Sequence, residues 1–234
     1  MKIYVHNYLE PLKINSSLYE EKHADQIGNA FDLSEHHYLS DINLDYWIYK
    51  NSNEDIIGKF QYRKWFLNNK KEIYSEEEIK NILTDHDIMI GGGIMNIAGH
   101  SVSNRTCYNY HHNSVDLRLA EQITTRLYGE QCAQAFTKYL DDYKMLVYAN
   151  LYIAKKEIIM EYYNWMFPVL VDFLNLSSFK TYSSRYQQRA PGYIAERLFS
   201  FWCLLRGFKF YLTDTNIEEA SADKNTQLLR FSYP

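Results

Sequence analysis

The residues best placed to do chemistry lie in the run Arg189-Ala190-Pro191-Gly192-Tyr193-Ile194-Ala195-Glu196-Arg197-Leu198. Pro191 and Gly192 break the chain, and the spacing of Ile194, Leu198, Phe201 and Trp202 predicts an amphipathic helix beginning there. Glu196 and Arg197 then fall in its first turn, where the helix dipole favours a carboxylate. Facing a cleft, such a carboxylate can take a proton from a substrate hydroxyl. The other reading is an ordinary acid at a helix start. A second pair, Arg63-Lys64, sits late in Asp55 to Phe66, which reads as one strand. Ligands of open α/β sheets bind outside the carboxyl ends of strands, so two cations there suit an anion. Asp85-His86-Asp87 offers oxygen ligands for a divalent metal on a diphosphate, but it precedes its strand, Ile88-Met89-Ile90, where turn chemistry serves as well. His112 and Asp116 are four apart and can share a helix face, orienting an imidazole towards a hydroxyl or phosphate, or they form a polar helix start.

The elements that position these groups alternate between strand and helix. Lys2 to Val5 reads as a strand, with a loop beginning at His6 and Asn7 where a polar ligand can meet the strand end. Asp41 to Lys50 has helical spacing and closes at Asn51-Ser52-Asn53, and Ser75-Glu76-Glu77-Glu78 has capping-box spacing for a helix through Leu83. Ser114 is placed to cap a helix running past Leu119 and Ile123, and two helices fill Ala120 to Asp141. Met145 to Ile153 reads as a strand containing Asn150. Lys155 to Leu174 is a long apolar helix that Pro168 should kink or restart. Phe208 to Leu212 reads as a last strand, and from Thr213 the polar chain is expected to drape over the surface.

Composition limits the function classes. The 234 residues, 46% of them hydrophobic, are read as one domain spanning 1–234 with an ample core. A net charge of −4 argues against nucleic acid as the partner. No run is long and apolar enough to cross a membrane, and Met1 to His6 lacks a signal peptide's apolar core, so a cytoplasmic protein is expected. Cys107, Cys132 and Cys203 are far apart, which suits free thiols and no structural zinc. The 22 tyrosines and 4 tryptophans suit sugar faces, bases and interfaces, while an AT-rich genome would enrich Tyr, Asn, Lys and Ile together.

Taken in order, the blocks Asp41 to Asn51, Ile57 to Phe66, His112 with Asp116-Leu117, Asn150 to Lys156, Tyr162 to Phe167 and Arg189 to Leu198 resemble one family. It is the bacterial capsular and exopolysaccharide glycosyltransferases long filed as a domain of unknown function. The resemblance implies an α/β fold like the nucleotide-diphospho-sugar transferase fold called GT-A, with a mixed central sheet flanked by helices. The chain departs from the family pattern at Gln61, where a histidine is usual, and at Asp41, where glutamate is usual. Its N-terminal block is shorter and more divergent, which bears on any role for His6.

Together, resemblance and physics imply transfer of a sugar from a nucleotide-diphosphate donor to a hydroxyl of a growing surface polysaccharide or glycolipid. Glu196 would be the base of an inverting reaction. Arg63 and Lys64 would hold the leaving diphosphate, with His6, Tyr62, Arg189 and Arg197 on the donor side. Asp41, Trp47, His112, Asp116, Asn150 and Gly192 would contact sugar or acceptor. UDP-galactose or UDP-galactofuranose is the favoured donor. No histidine follows His112 to complete a metal shell of this fold, so no cofactor is expected, with manganese or magnesium at Asp85 and Asp87 as the alternative. A lipid-linked acceptor would bring the protein to the inner face of the cytoplasmic membrane. A non-catalytic sugar- or nucleotide-binding subunit and a protein-interaction module are the competing functions.

Overall fold

The computed structural model describes residues 1–7, 16–23, 27, 36–39, 41–62 and 64–217. In chain order these form β1 (Lys2–Asn7), β2 (Tyr19–His23), α1 (His36–Leu39), α2 (Ile42–Asn51), β3 (Ile56–Gln61), β4 (Lys64–Leu67), α3 (Glu76–Asp85) and β5 (Ile88–Ile94). A small pair, β6 (Asn96–Ile97) and β7 (His100–Ser101), leads to α4 (Asn104–His111), α5 (Ser114–Asp142), β8 (Met145–Lys155), α6 (Lys156–Leu176), α7 (Ala190–Leu205), β9 (Phe210–Leu212) and β10 (Asp214–Ile217).

One mixed sheet organises the molecule. β1 lies parallel to β2 and β3, β8 runs antiparallel between β3 and β5, β9 joins β5 in parallel, and β10 pairs with β4. Its central strands β1, β3, β5 and β8 are largely apolar on both faces because both are covered. Tyr4, Ile57, Ile88, Ile90, Tyr152 and Ala154 enter a core built with α1, α2 and α4 to α7. Their neighbours Ile3, Val5, Phe60, Met89, Leu151 and Ile153 enter a second core with Ile79 and Leu83 of α3. The period of two sorts each strand between the two layers.

Several expectations need correction. The stretch Asp55 to Phe66 is not one strand: Gln61 pairs with Lys64, so the chain reverses between them into β4. No Gly, Asn or Asp marks that turn, so the apolar run concealed it. α7 begins at Ala190, with Pro191 in its first turn, where a missing N–H costs nothing; Gly192 is therefore helical and Glu196 lies in the second turn. Asn113, not Ser114, caps α5, its side chain accepting from the Val115 amide. Pro168 lies inside α6, which continues to Leu176 without restarting, and the Tyr128 hydroxyl donates to the Trp165 carbonyl in the turn before it. Directly after Thr213 the chain adds β10 to the edge of β4, where a draping segment is expected, and the remainder, 218–234, lies outside the described residues. The predicted capping box at Ser75 and Glu78 is present, and the two helices expected across Ala120 to Asp141 meet at Gly129, whose φ of 82° kinks α5.

Candidate functional site

The site grows from an irregularity in β8. Val147 pairs with Gly92 and Tyr152 with Ile90, so residues 148–151 face Gly91 alone. The excess is absorbed by Ala149 and Asn150, both left-handed at φ 53° and 51°. Such a conformation is costly for alanine and is retained where surrounding structure enforces it. α7 supplies that enforcement. Ser200 Oγ accepts the Val147 amide at 2.9 Å, and Glu196 Oε1, one turn earlier, accepts the Ala149 amide at 2.9 Å.

Glu196 therefore has one oxygen committed to the bulge and the other, Oε2, 3.3 Å from Arg197 Nη1. Its side chain is 22% exposed against 4% for Arg197, so Glu196 is the more open member of the pair. Burial raises its pKa, while Arg197 and Lys64 pull it down and Asp41 pushes it up. These influences place Lys64, at the start of β4, and Asp41, just before α2, in the same electrostatic neighbourhood. Arg197 is fixed further by the Tyr193 carbonyl at 2.9 Å and lies over the Tyr108 ring at 5.0 Å.

Beneath lies a buried ionic group. Lys59 Nζ reaches Asp41 Oδ2 at 3.1 Å and Asp45 Oδ2 at 2.6 Å, and Tyr163 donates to Asp45 Oδ1 at 3.0 Å while bonded to Tyr152. Lys59 is fully buried. Burial pushes Asp45 up to about 6. Asp41 is held below its ordinary value: burial opposes ionisation there, but the Lys59 ammonium outweighs it. His6, buried at the end of β1, bears electrostatically on Asp41, and its carbonyl accepts the Tyr62 amide. Lys59 was legible as a lone cation inside Ile56 to Phe60, and Asp41 and Asp45 as acids four apart on one helical face.

Several buried polar atoms here have no protein partner: both amide atoms of Asn150, Arg197 Nε, the Tyr108 hydroxyl and Asp116 Oδ2. A buried polar atom without a protein partner is what a polar ligand or bound water satisfies. Asp116 is otherwise tied by its Oδ1 to Ser177 and Tyr182. The expected shared face of His112 and Asp116 is not formed, because His112 lies beyond the end of α4 and before α5. Its ring instead stacks on Tyr193 at 3.9 Å and on Tyr186 at 5.3 Å. Burial and then Arg197 push its pKa down to about 3, which keeps it neutral. Arg189 flanks the stack, its guanidinium 5.6 Å from the Tyr193 ring.

The remaining candidates divide. Arg63 lies outside the described residues. Trp47 meets Tyr4 edge-on and carries the Lys22 ammonium over its ring at 4.0 Å. Gly192 is buried within α7. Asp85 and Asp87 stand at the opposite end of the sheet from Glu196, since Ile88 is level with Ala154 and thereby with Ile57 at the start of β3. Asp87 Oδ2 accepts the Lys209 amide at 2.8 Å, which is turn chemistry. This donor set does not fit a metal on a diphosphate near Glu196. Tyr108, Tyr193 and the Ala149 amide were missed, because a bulge inside an apolar strand has no marker among its residue types.

A family model described as Domain of unknown function (DUF4422) matches residues 1–206. No curated protein matches the chain. Among solved structures, the apo structure of WbbM, described as a bifunctional glycosyltransferase, is similar at a TM-score of 0.79 and 20% sequence identity over 92% of this chain. The chain spans 45% of that protein's chain. At that identity the likeness is one of fold, and it bears out the mixed sheet flanked by helices.

Proposed function

The chain belongs to the DUF4422 family, and from that premise we propose that it is a glycosyltransferase acting on a nucleotide-diphosphate sugar. WbbM is named a glycosyltransferase, and the shared fold is one support. The observation that carries the reading is Glu196 itself: an acid of raised pKa on a partly exposed side chain, held at a strained bulge beside Arg197 and next to Asn150, whose amide is unpartnered. Perturbed acids in such settings are general-base candidates.

In this reading the Glu196 carboxylate takes the proton of an acceptor hydroxyl as its oxygen attacks the anomeric carbon, with inversion. The bond to the diphosphate breaks as the new one forms, and Lys64 with Arg63 stabilises the charge on the leaving group. Asn150, Asp41 and Asp116 hold sugar hydroxyls, His112 contributes a neutral ring, and Arg189 and Arg197 complete the cationic side. UDP-galactose or UDP-galactofuranose is the donor proposed, and a hydroxyl of a surface polysaccharide or glycolipid the acceptor. No metal is assigned a step.

The test is thermal stabilisation of the purified protein by UDP, GDP, CMP and dTDP and their sugars, each with manganese and with a chelator. Stabilisation by UDP that survives chelation is expected. Stabilisation only with manganese would replace the cationic mechanism with a metal, and no stabilisation by any nucleotide would overturn the donor site.

A further inference from the structure

Outside the groups already assigned, one surface feature leads directly into the site. Tyr110 is 68% exposed and meets His111 edge-on at 4.9 Å. His111 lies 6.2 Å from His112, on which Tyr186, itself 49% exposed, stacks. Tyr193, at the inner end, is one helical turn from Arg197 and accepts its guanidinium through the backbone carbonyl. A file of five rings therefore runs from solvent to the residues beside Glu196.

The file is held in place. Gln187 donates to the His111 carbonyl at 2.7 Å, and Gln188 donates to the Tyr182 carbonyl at 2.9 Å, fixing the turn that carries Tyr186 against the end of α4. Large rings exposed on a braced backbone do not serve the core, and they present flat apolar faces with polar edges at no further ordering cost. Burial, and then the Arg197 charge, lower the His111 pKa, so its ring favours the neutral form. A neutral aromatic face suits the C–H face of a sugar ring better than it suits a phosphate.

Resting on the glycosyl-transfer reading, we propose that Tyr110, His111 and Tyr186 form the acceptor subsite, on which the saccharide unit carrying the reacting hydroxyl lies. Neither the family match nor the fold match assigns these residues. The experiment uses octyl glycosides of galactose, glucose, mannose and N-acetylglucosamine as acceptors with the donor that stabilises the protein. Tyr186→Ala should raise the acceptor KM about tenfold, the loss expected for one stacked ring, and change the donor Kd less than twofold. Tyr186→Phe, which keeps the ring, should stay within threefold of the parent. An unchanged acceptor KM, or donor and acceptor weakened equally, would overturn the subsite. A parent protein that transfers to none of the glycosides would count against the transfer reading itself. Saturation-transfer NMR with the same glycosides then decides the subsite alone: signals abolished by Tyr186→Ala support it, and absent signals in the parent overturn it.

Discussion

Glu196 accepts the Ala149 amide through Oε1 at 2.9 Å and meets Arg197 through Oε2 at 3.3 Å, so the same carboxylate braces a bulge and faces the candidate site. The two duties separate by substitution. Glutamine keeps a carbonyl oxygen for the Ala149 amide and cannot accept a proton at neutral pH. Its amide nitrogen, a donor, then takes the place of Oε2 opposite Arg197 Nη1, so Glu196→Gln should fold with a modestly lowered melting temperature, bind donor, and lose about 10²- to 10⁴-fold in kcat. A kcat near that of the parent would remove the base assignment. Glu196→Ala should in addition lose about 1–3 kcal/mol of stability through the stranded Ala149 amide, measured by urea unfolding.

Lys64 lowers the pKa of Glu196 and Asp41 raises it, against a background in which burial dominates. A base is active when deprotonated, so kcat/KM should fall on the acid side with an apparent pKa above the ordinary glutamate value. Removing the cation in Lys64→Met should carry that acid limb to higher pH. A limb that stays in place would show that Lys64 does not act on Glu196.

Asn150 is left-handed and buried with both amide atoms unpartnered. Glycine accepts the same backbone conformation at no steric cost, so Asn150→Gly deletes the amide without straining the bulge. Stability should change by less than about 0.5 kcal/mol, because no internal hydrogen bond is lost. The KM for donor or acceptor should rise about tenfold, as expected for a lost hydrogen bond to a substrate hydroxyl. An unchanged KM for both would take Asn150 out of the site.

How far the site could be read from residue types follows the same physical division. Local signals were sufficient where one residue acts on its own neighbours, as at the Ser75 capping box and the Gly129 kink. Glu196, Arg197 and Asn150 were legible as polar residues inside apolar runs, and Asp41 through the resemblance of its block to the family. What joins them was not: the β8 bulge is a mismatch between two strands, visible only when β5 and β8 are paired. The β3–β4 reversal was hidden for the same reason, since the pairing of Gln61 with Lys64 defines it and no turn-forming residue announces it. Asp85 and Asp87 show the converse. Their spacing left both a metal and turn chemistry open, and it takes the Asp87 bond to the Lys209 amide and a sheet register that sets them at the far end from Glu196 to favour the turn.

The group formed by Lys59, Asp41 and Asp45 gives a pH dependence with a definite sign. One ammonium buried with two carboxylates is balanced only when one of them is protonated, and burial, with Asp41 beside it, raises Asp45 to about 6 from its ordinary 3.8. A carboxyl raised in the folded state contributes stability that is fully present below the unfolded value and lost as pH rises through the folded value. Unfolding free energy should therefore decline between about pH 4 and pH 7 from this group, by at most about 1.4 kcal/mol per pH unit for a single proton. Asp45→Asn removes the titration and keeps the contacts. Its carbonyl oxygen can face Lys59, and its amide can donate to the Tyr163 hydroxyl, which remains bonded to Tyr152. The variant should lose the slope between pH 4 and pH 7 and be at least as stable as the parent at pH 7, measured by urea unfolding across that range. A slope that persists in Asp45→Asn would place the linked proton on another group.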